Sequence, residues 1–173
     1  MYKNKKICLI VPCYKVKNKI QIVLDKVPKI VDQVILVNDC CPEKSTDGLI
    51  TKNKNVKIIR NQSNIGVGGA VKAGFKIALA EHYDLIIKVD GDDQMDLDHM
   101  KSMCEILIKN NLSYVKGNRF FYLQDLDGMP LIRIIGNSVL SFFSKFSSGY
   151  WDIFDPTNGY FVIDIKALKL IQF

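Results

Sequence analysis

Leu85-Ile86-Ile87-Lys88-Val89-Asp90-Gly91-Asp92-Asp93-Gln94 reads as a short apolar strand that ends in a cluster of carboxylates. A strand of this kind delivers its charges to its C-terminal end, which is where open α/β sheets bind their ligands. Asp96 and Asp98 follow, in a chain whose net charge is +6. Crowded like charges repel one another unless a cation holds them, which points to a divalent metal site. Alternation along an extended chain puts Asp90 and Asp92 on one side, and ligands that are all oxygen suit Mg²⁺ or Mn²⁺ rather than Zn²⁺. The same residues also fit an acidic turn that opens a helix at Asp96, because acids favour turns and helix N-termini. A calcium loop does not fit: Met95 stands where that loop needs its glycine and Lys101 where it needs its glutamate. A strand-end Asp alone gives no evidence of covalent chemistry.

Working outward, other apolar runs end in the same way. Ile7 to Val11 ends at Pro12, followed by Cys13-Tyr14-Lys15. Val34 to Val37 ends in Asn38-Asp39, Val56 to Ile59 in Arg60-Asn61, and Tyr114 to Lys116 in Gly117-Asn118-Arg119. Between them lie helical spacings over Lys17 to Val27, from the Gly-rich stretch to about Glu81, and over Leu97 to Asn110. Ser45 or Thr46 is placed to cap a further short helix through Ile50. Strands alternating with helices predict a doubly wound, mainly parallel α/β sheet with helices on both faces. The recurrence of Asp39, Asp90, Asp92 and Arg119 at strand C-termini is harder to attribute to chance than any one of them.

The Gly-rich stretch, Asn64-Ile65-Gly66-Val67-Gly68-Gly69-Ala70 through Gly74, has two readings. Free N–H groups at a helix entry can cradle phosphate, and small residues also let a helix pack tightly on a sheet. It is neither a dinucleotide fingerprint, since Val71 falls where the third glycine would, nor a P-loop. Leu131 to Phe146 gives a broad apolar helix face with Arg133 and Lys145 among it. That suits a core-facing helix or one lying in a membrane interface. Asp155-Pro156-Thr157-Asn158-Gly159 reads as a turn into a strand from Tyr160 to Ile163, and a last helix starts near Lys166.

With 173 residues, 48% of them hydrophobic and 24% charged, the chain suits one globular domain rather than disorder. The basic balance favours anionic partners. The five cysteines form no C-x-x-C pair, which argues against zinc and for a reduced, cytoplasmic setting. The N-terminal apolar run is too short for a signal peptide, and no run reaches membrane-spanning length. Basic residues do not interleave with aromatics as in a nucleic-acid module, so nucleic acid is not an expected partner.

Taken in order, these motifs resemble the family-2 glycosyltransferases of GT-A fold, and within them the polyisoprenyl-phosphate branch that includes dolichol-phosphate mannose synthases. Ile10 to Lys15 matches the first-strand motif, Val37-Asn38-Asp39 the Val-Asp-Asp motif, Asn64 to Gly74 the Gly-rich segment, and Asp90-Gly91-Asp92-Asp93-Gln94 the D-x-D-x-Q motif. Gly117-Asn118-Arg119 matches Gly-Ser-Arg, and Asp155 to Tyr160 matches Asp-x-x-x-Gly-Phe. The resemblance covers Ile7 to about Leu170. It implies a metal-dependent, inverting transfer of a sugar from a UDP- or GDP-sugar to a polyprenyl phosphate, with Mg²⁺ or Mn²⁺ as cofactor.

By the same resemblance Pro12, Tyr14, Asp39, Asn64, Gly68, Asp90 and Asp92 bind the nucleotide-sugar. Asp90, Asp92 and Gln94 surround the metal, Arg119 and Arg133 bind the acceptor phosphate, and Asp92 and Asp155 are the catalytic pair. Asp155 serves as base if the acceptor is a hydroxyl, and is otherwise a turn-capping residue. Peripheral contact with the cytoplasmic face of a membrane is implied as well. Asn38 stands where the family has Asp, Lys15 where it has Asn, and the loop from Cys40 to Lys44 is longer than usual. The single domain expected over residues 1–173 lacks the family's C-terminal portion. A soluble glycosyltransferase acting on a sugar hydroxyl and a non-catalytic nucleotide-sugar binding module remain as alternatives.

Overall fold

A computed structural model describes residues 1–51, 55–118, 131–151, 155 and 157–171. In chain order the elements are β1 (Ile7–Cys13), α1 (Ile20–Lys26), β2 (Gln33–Asn38), β3 (Val56–Arg60), α2 (Gly66–Ala80) and β4 (Leu85–Lys88). There follow α3 (His99–Lys109), β5 (Tyr114–Lys116), α4 (Leu131–Ser148), β6 (Phe161–Asp164) and α5 (Ile165–Leu170). They fall into two compact units, Met1–Val115 with Tyr160–Phe173, and Lys116–Gly159.

The first unit is built on a sheet of strand order β3-β2-β1-β4-β6-β5. β1 pairs in parallel with β2 and β4, and β2 with β3. β6 runs antiparallel to β4, with Leu85 opposite Asp164 and Lys88 opposite Phe161. Near-continuous apolar runs mark strands covered on both faces. The period of two sends Ile7, Leu9 and Val11 to one face, under Ile20, Val23 and Leu24 of α1 and Met100, Met103 and Leu107 of α3. Cys8, Ile10, Ile35, Val37 and Ile86 go to the other face, with Ala70 and Ala78 of α2 and Leu168 of α5. Each fully buried Ile or Leu contributes about 1.5–3 kcal/mol to such a core. The doubly wound, mainly parallel architecture expected from the sequence is the one observed.

Three local expectations are corrected. No helix forms over residues 45–50, between β2 and β3. Ser45 and Thr46 are buried, and their hydroxyls serve the loop instead: Ser45 Oγ accepts from the Val16 N–H at 3.0 Å and Thr46 Oγ1 from Asn38 Nδ2 at 2.8 Å. Gly48 then turns the chain with φ of +74°. Residues 90–94 form a turn rather than a continued strand, so Asp90 and Asp92 do not owe their placement to strand alternation. Helix α3 begins at His99. Asp96 and Asp98 form the acidic turn before it, with the Asp98 N–H donating to Asp96 Oδ1 at 2.9 Å.

In the second unit, α4 keeps no described side chain buried. Leu131, Ile132, Ile135, Phe143 and Phe146 are all more than half exposed. Phe142 packs edge-on against Phe143 and Trp151, with ring centroids 5.9 and 6.4 Å apart. The apolar face expected of this helix is present, and its described side chains are exposed or half-buried. Among the described residues, no helix is long and apolar enough to cross a membrane.

Candidate functional site

The chain leaves β1 for β2 on one side and returns later to β4 on the other. A crevice at such a switch point, beyond the strand C-termini, is where doubly wound sheets hold ligands. A cavity of about 390 Å³ opens there. Pro12, Cys13 and Tyr14 from the end of β1, Asp39 from β2 and Asp90, Gly91 and Asp92 from β4 line it, together with Val16 and the entry to α2 at Asn64, Gly66, Val67 and Ala70.

Asp39 is buried. Its Oδ1 accepts from Asn61 Nδ2 at 2.8 Å and from the Ile65 N–H at 3.1 Å. Both bonds use one oxygen, which leaves Oδ2 for a ligand in the cavity. The tie to Ile65 also fixes the start of α2. Asn38, the neighbouring departure from the family motif, is spent inside the loop: its Oδ1 accepts from the Cys41 N–H at 2.9 Å. Cys41 Sγ in turn accepts from the Lys15 N–H at 3.1 Å. Burial pushes the Cys13 thiol up to about 12. It is uncharged at neutral pH and forms an inert wall of the cavity.

The glycines at the start of α2 divide between the two readings. Gly66 has φ of +78°, a left-handed conformation suited to Gly, and it lines the cavity. A Cβ on Gly74 would lie 2.6 Å from Ile10 Cγ2, so that position is small for packing. Gly68 is exposed and does not line the cavity, and a Cβ there would meet nothing within 4 Å.

On the opposite wall Asp90 Oδ1 accepts from Lys88 Nζ at 2.6 Å. Asp92 Oδ1 accepts from the Gln94 N–H at 3.3 Å. Asp93, at φ of +59°, turns to Lys26 Nζ at 2.8 Å. The Gln94 side chain is exposed and outside the cavity lining. Among the described residues, no group of three or more His, Cys, Asp or Glu side chains could hold a metal ion. What this wall of the cavity offers is two carboxylates, Asp90 and Asp92. That set fits Mg²⁺ or Mn²⁺ of the kind held by one or two carboxylates together with substrate phosphates.

Pro12, Tyr14, Asp39, Asn64, Asp90 and Asp92, all named from the sequence, thus meet in one cavity. Asp155 belongs to the second unit. It is buried, with φ of +57°. Its Oδ1 accepts from the Thr157 hydroxyl at 3.3 Å and its carbonyl from the Asn158 N–H at 3.2 Å, the pattern of a turn-forming Asp. Arg119 and the Arg133 side chain lie outside the described residues. Lys88, Asn61 and Cys13 were given no role in the sequence reading. Lys88 left a signal, a lone charge in an otherwise apolar buried run.

Comparison with known proteins points the same way. The model of the glycosyl transferase family 2 matches residues 8–171. A UDP-N-acetylglucosamine–dolichyl-phosphate N-acetylglucosaminyltransferase of Methanococcus voltae is 31% identical over 114 residues, 66% of this chain and 45% of that protein. An undecaprenyl-phosphate mannosyltransferase of Micrococcus luteus is 24% identical over 174 residues, 96% of this chain and 70% of that protein. An uncharacterized protein of Methanocaldococcus jannaschii is 28% identical over 80% of this chain and 56% of its own length. The chain thus spans about half the length of the first curated relatives it matches. The fold is shared with glucosyl-3-phosphoglycerate synthase of Mycobacterium tuberculosis, solved with Mn²⁺, UDP and glucosyl-3-phosphoglycerate. Its TM-score is 0.66 at 13% identity, over 94% of this chain and 58% of that one.

Proposed function

This chain belongs to glycosyl transferase family 2, and from that premise we propose that it transfers a sugar from a nucleotide diphospho-sugar to a polyprenyl phosphate at a membrane surface. The observation that carries the reading is the meeting of Asp39, Asp90 and Asp92 in one cavity at the switch point of the sheet. The names of the Methanococcus and Micrococcus relatives support the acceptor class. The exposed apolar side chains of α4 favour it over a soluble acceptor, since an amphipathic helix with aromatic and basic residues suits a membrane interface.

In this reading Asp39 Oδ2 accepts an N–H of the base, and Pro12 and Tyr14 flank the nucleoside. Asp90 accepts from the ribose, and the Gln94 N–H orients Asp92 toward the diphosphate. Asp92, with Asp90 beside it, would hold Mg²⁺ or Mn²⁺, which would neutralise charge on the leaving diphosphate. An acceptor phosphate oxygen forms the new bond to the anomeric carbon as the bond to the nucleoside diphosphate breaks, with inversion. A phosphate is already an anion at neutral pH, so the step calls for no general base, and Asp155 keeps its turn. Arg119 and Arg133 are assigned to the acceptor phosphate, where planar guanidiniums bind well.

The test is transfer of radiolabelled sugar to a short-chain polyprenyl phosphate, after a thermal-shift panel of UDP- and GDP-sugars with Mn²⁺ has identified the donor. Arg119→Ala and Arg133→Ala should each lower transfer roughly ten- to a hundredfold, as loss of a charge-assisted contact of about 1.5–3 kcal/mol predicts, with donor binding barely changed. Normal transfer by both variants, or transfer to a soluble sugar alone, would overturn the acceptor assignment and return Asp155 to the role of base.

A further inference from the structure

Lys88 is the last residue of β4, in register with Ile10 of β1 and Phe161 of β6. Lysine is almost never buried this deeply without a partner, yet Lys88 is only 5% exposed. Its partner is Asp90, and the pair is lopsided: the Lys88 side chain is 6% exposed and that of Asp90 34%. The cation is thus anchored in the sheet while the carboxylate reaches the cavity. Asp93 is neutralised separately by Lys26. Of the three acids in the turn, Asp92 alone has no salt bridge among the described residues.

We propose that Lys88 is the positioning residue of this site. It holds Asp90 Oδ1 and cancels its charge, so that Asp92 is the one uncompensated carboxylate of the turn and a divalent cation is retained only together with the diphosphate of the nucleotide. The inference rests on the donor reading above and adds to it an account of how the ion is admitted. A buried cation a few ångströms away weakens the field that the two carboxylates would otherwise offer an ion. A bound diphosphate restores the missing negative charge and supplies the missing oxygens. Coupling of this kind is reciprocal: whatever the nucleotide adds to metal affinity, the metal adds to nucleotide affinity. Lys88 also directs Asp90 away from the ion, leaving its second oxygen for a ribose hydroxyl.

The experiment measures Mn²⁺ binding by electron paramagnetic resonance and calorimetry, for the unaltered chain and for Lys88→Met and Lys88→Arg, each alone, with UDP and with GDP. In the unaltered chain one of the two nucleotides should tighten Mn²⁺ binding by tenfold or more, on the order expected of a neighbouring charge at intermediate dielectric. Lys88→Met, which keeps the length of the side chain and removes its charge, should tighten nucleotide-free Mn²⁺ binding by about tenfold and shrink the coupling accordingly. Lys88→Arg keeps the charge and should retain the coupling, a result that a merely structural role for Lys88 does not predict. Equal Mn²⁺ affinity with and without nucleotide in the unaltered chain overturns the proposal, as does unchanged nucleotide-free affinity in a folded Lys88→Met. If Lys88→Met does not fold, Lys88→Gln, which removes the charge and can still donate to Asp90, is measured in its place with the same expected and overturning outcomes. Failure of UDP and GDP to bind at all, with Mn²⁺ or without, refutes the donor reading itself.

Discussion

Asp39 and Asp92 differ in how much of each carboxylate the fold has already used. At Asp39 both hydrogen bonds fall on Oδ1, so Asp39→Asn should keep that oxygen accepting and turn its NH₂ toward the cavity, a donor facing the donor of a base. We expect the melting temperature to hold while affinity for the favoured nucleotide falls roughly ten- to a hundredfold. Asp39→Ala should lower both affinity and stability, because the tie to Asn61 and Ile65 goes with it. Calorimetry with UDP and GDP checks this, and unchanged affinity in both variants would place the base elsewhere. Asp92 is held by one backbone N–H, so Asp92→Asn should leave the fold intact and abolish the metal-dependent thermal stabilisation by nucleotide-sugar. Equal stabilisation in EDTA, before any substitution, would remove the metal from the account. Both residues were legible in the sequence because each ends an apolar strand run. Asn61 was not, because its contact with Asp39 exists only once β3 lies beside β2.

Helix α2 offers a test at the level of an element, since its glycines sit in opposite environments. Gly74→Ala drives a methyl against Ile10, a fully buried side chain. Overpacking of this kind costs about 1–3 kcal/mol, and each kcal/mol is worth about 2–4 °C in melting temperature at this size. Gly68→Ala meets open space and should stabilise by roughly 0.5–1 kcal/mol, with nucleotide binding unchanged. A thermal melt separates the two, and loss of nucleotide binding in Gly68→Ala would restore that glycine to the site. The strands were readable because strands buried on both faces leave unbroken apolar runs. The loop after β2 was not, because the residues that cap helices also close loops: Ser45 and Thr46 bond to Val16 and Asn38 across the loop, not to a helix of their own. Residues 90–94 show the same limit. Their carboxylate cluster was visible, and their turn geometry was not.

Across the whole molecule, a net charge of +6 and the exposed apolar side chains of α4 should act together at an anionic bilayer. Sedimentation with vesicles containing phosphatidylglycerol should recover the chain at low salt. Phe143→Asp and Phe146→Asp should each reduce recovery on the order of tenfold, in line with the apolar burial a phenylalanine forgoes. Recovery unaffected by either substitution would detach the helix from the lipid. A different consequence follows from the sheet order. Residues 116–159 leave the first unit after β5 and re-enter it just before β6, and these strands are neighbours. Tyr114 and Phe161 stack across that gap with ring centroids 5.4 Å apart. Closing so short a span takes little chain, so a brief Gly-Ser turn in place of residues 117–159 should leave the first unit folded and still able to bind nucleotide. The sheet then works as a socket and the excised segment as an insert, one that a segment of different sequence could replace without redesign of the strands that flank it.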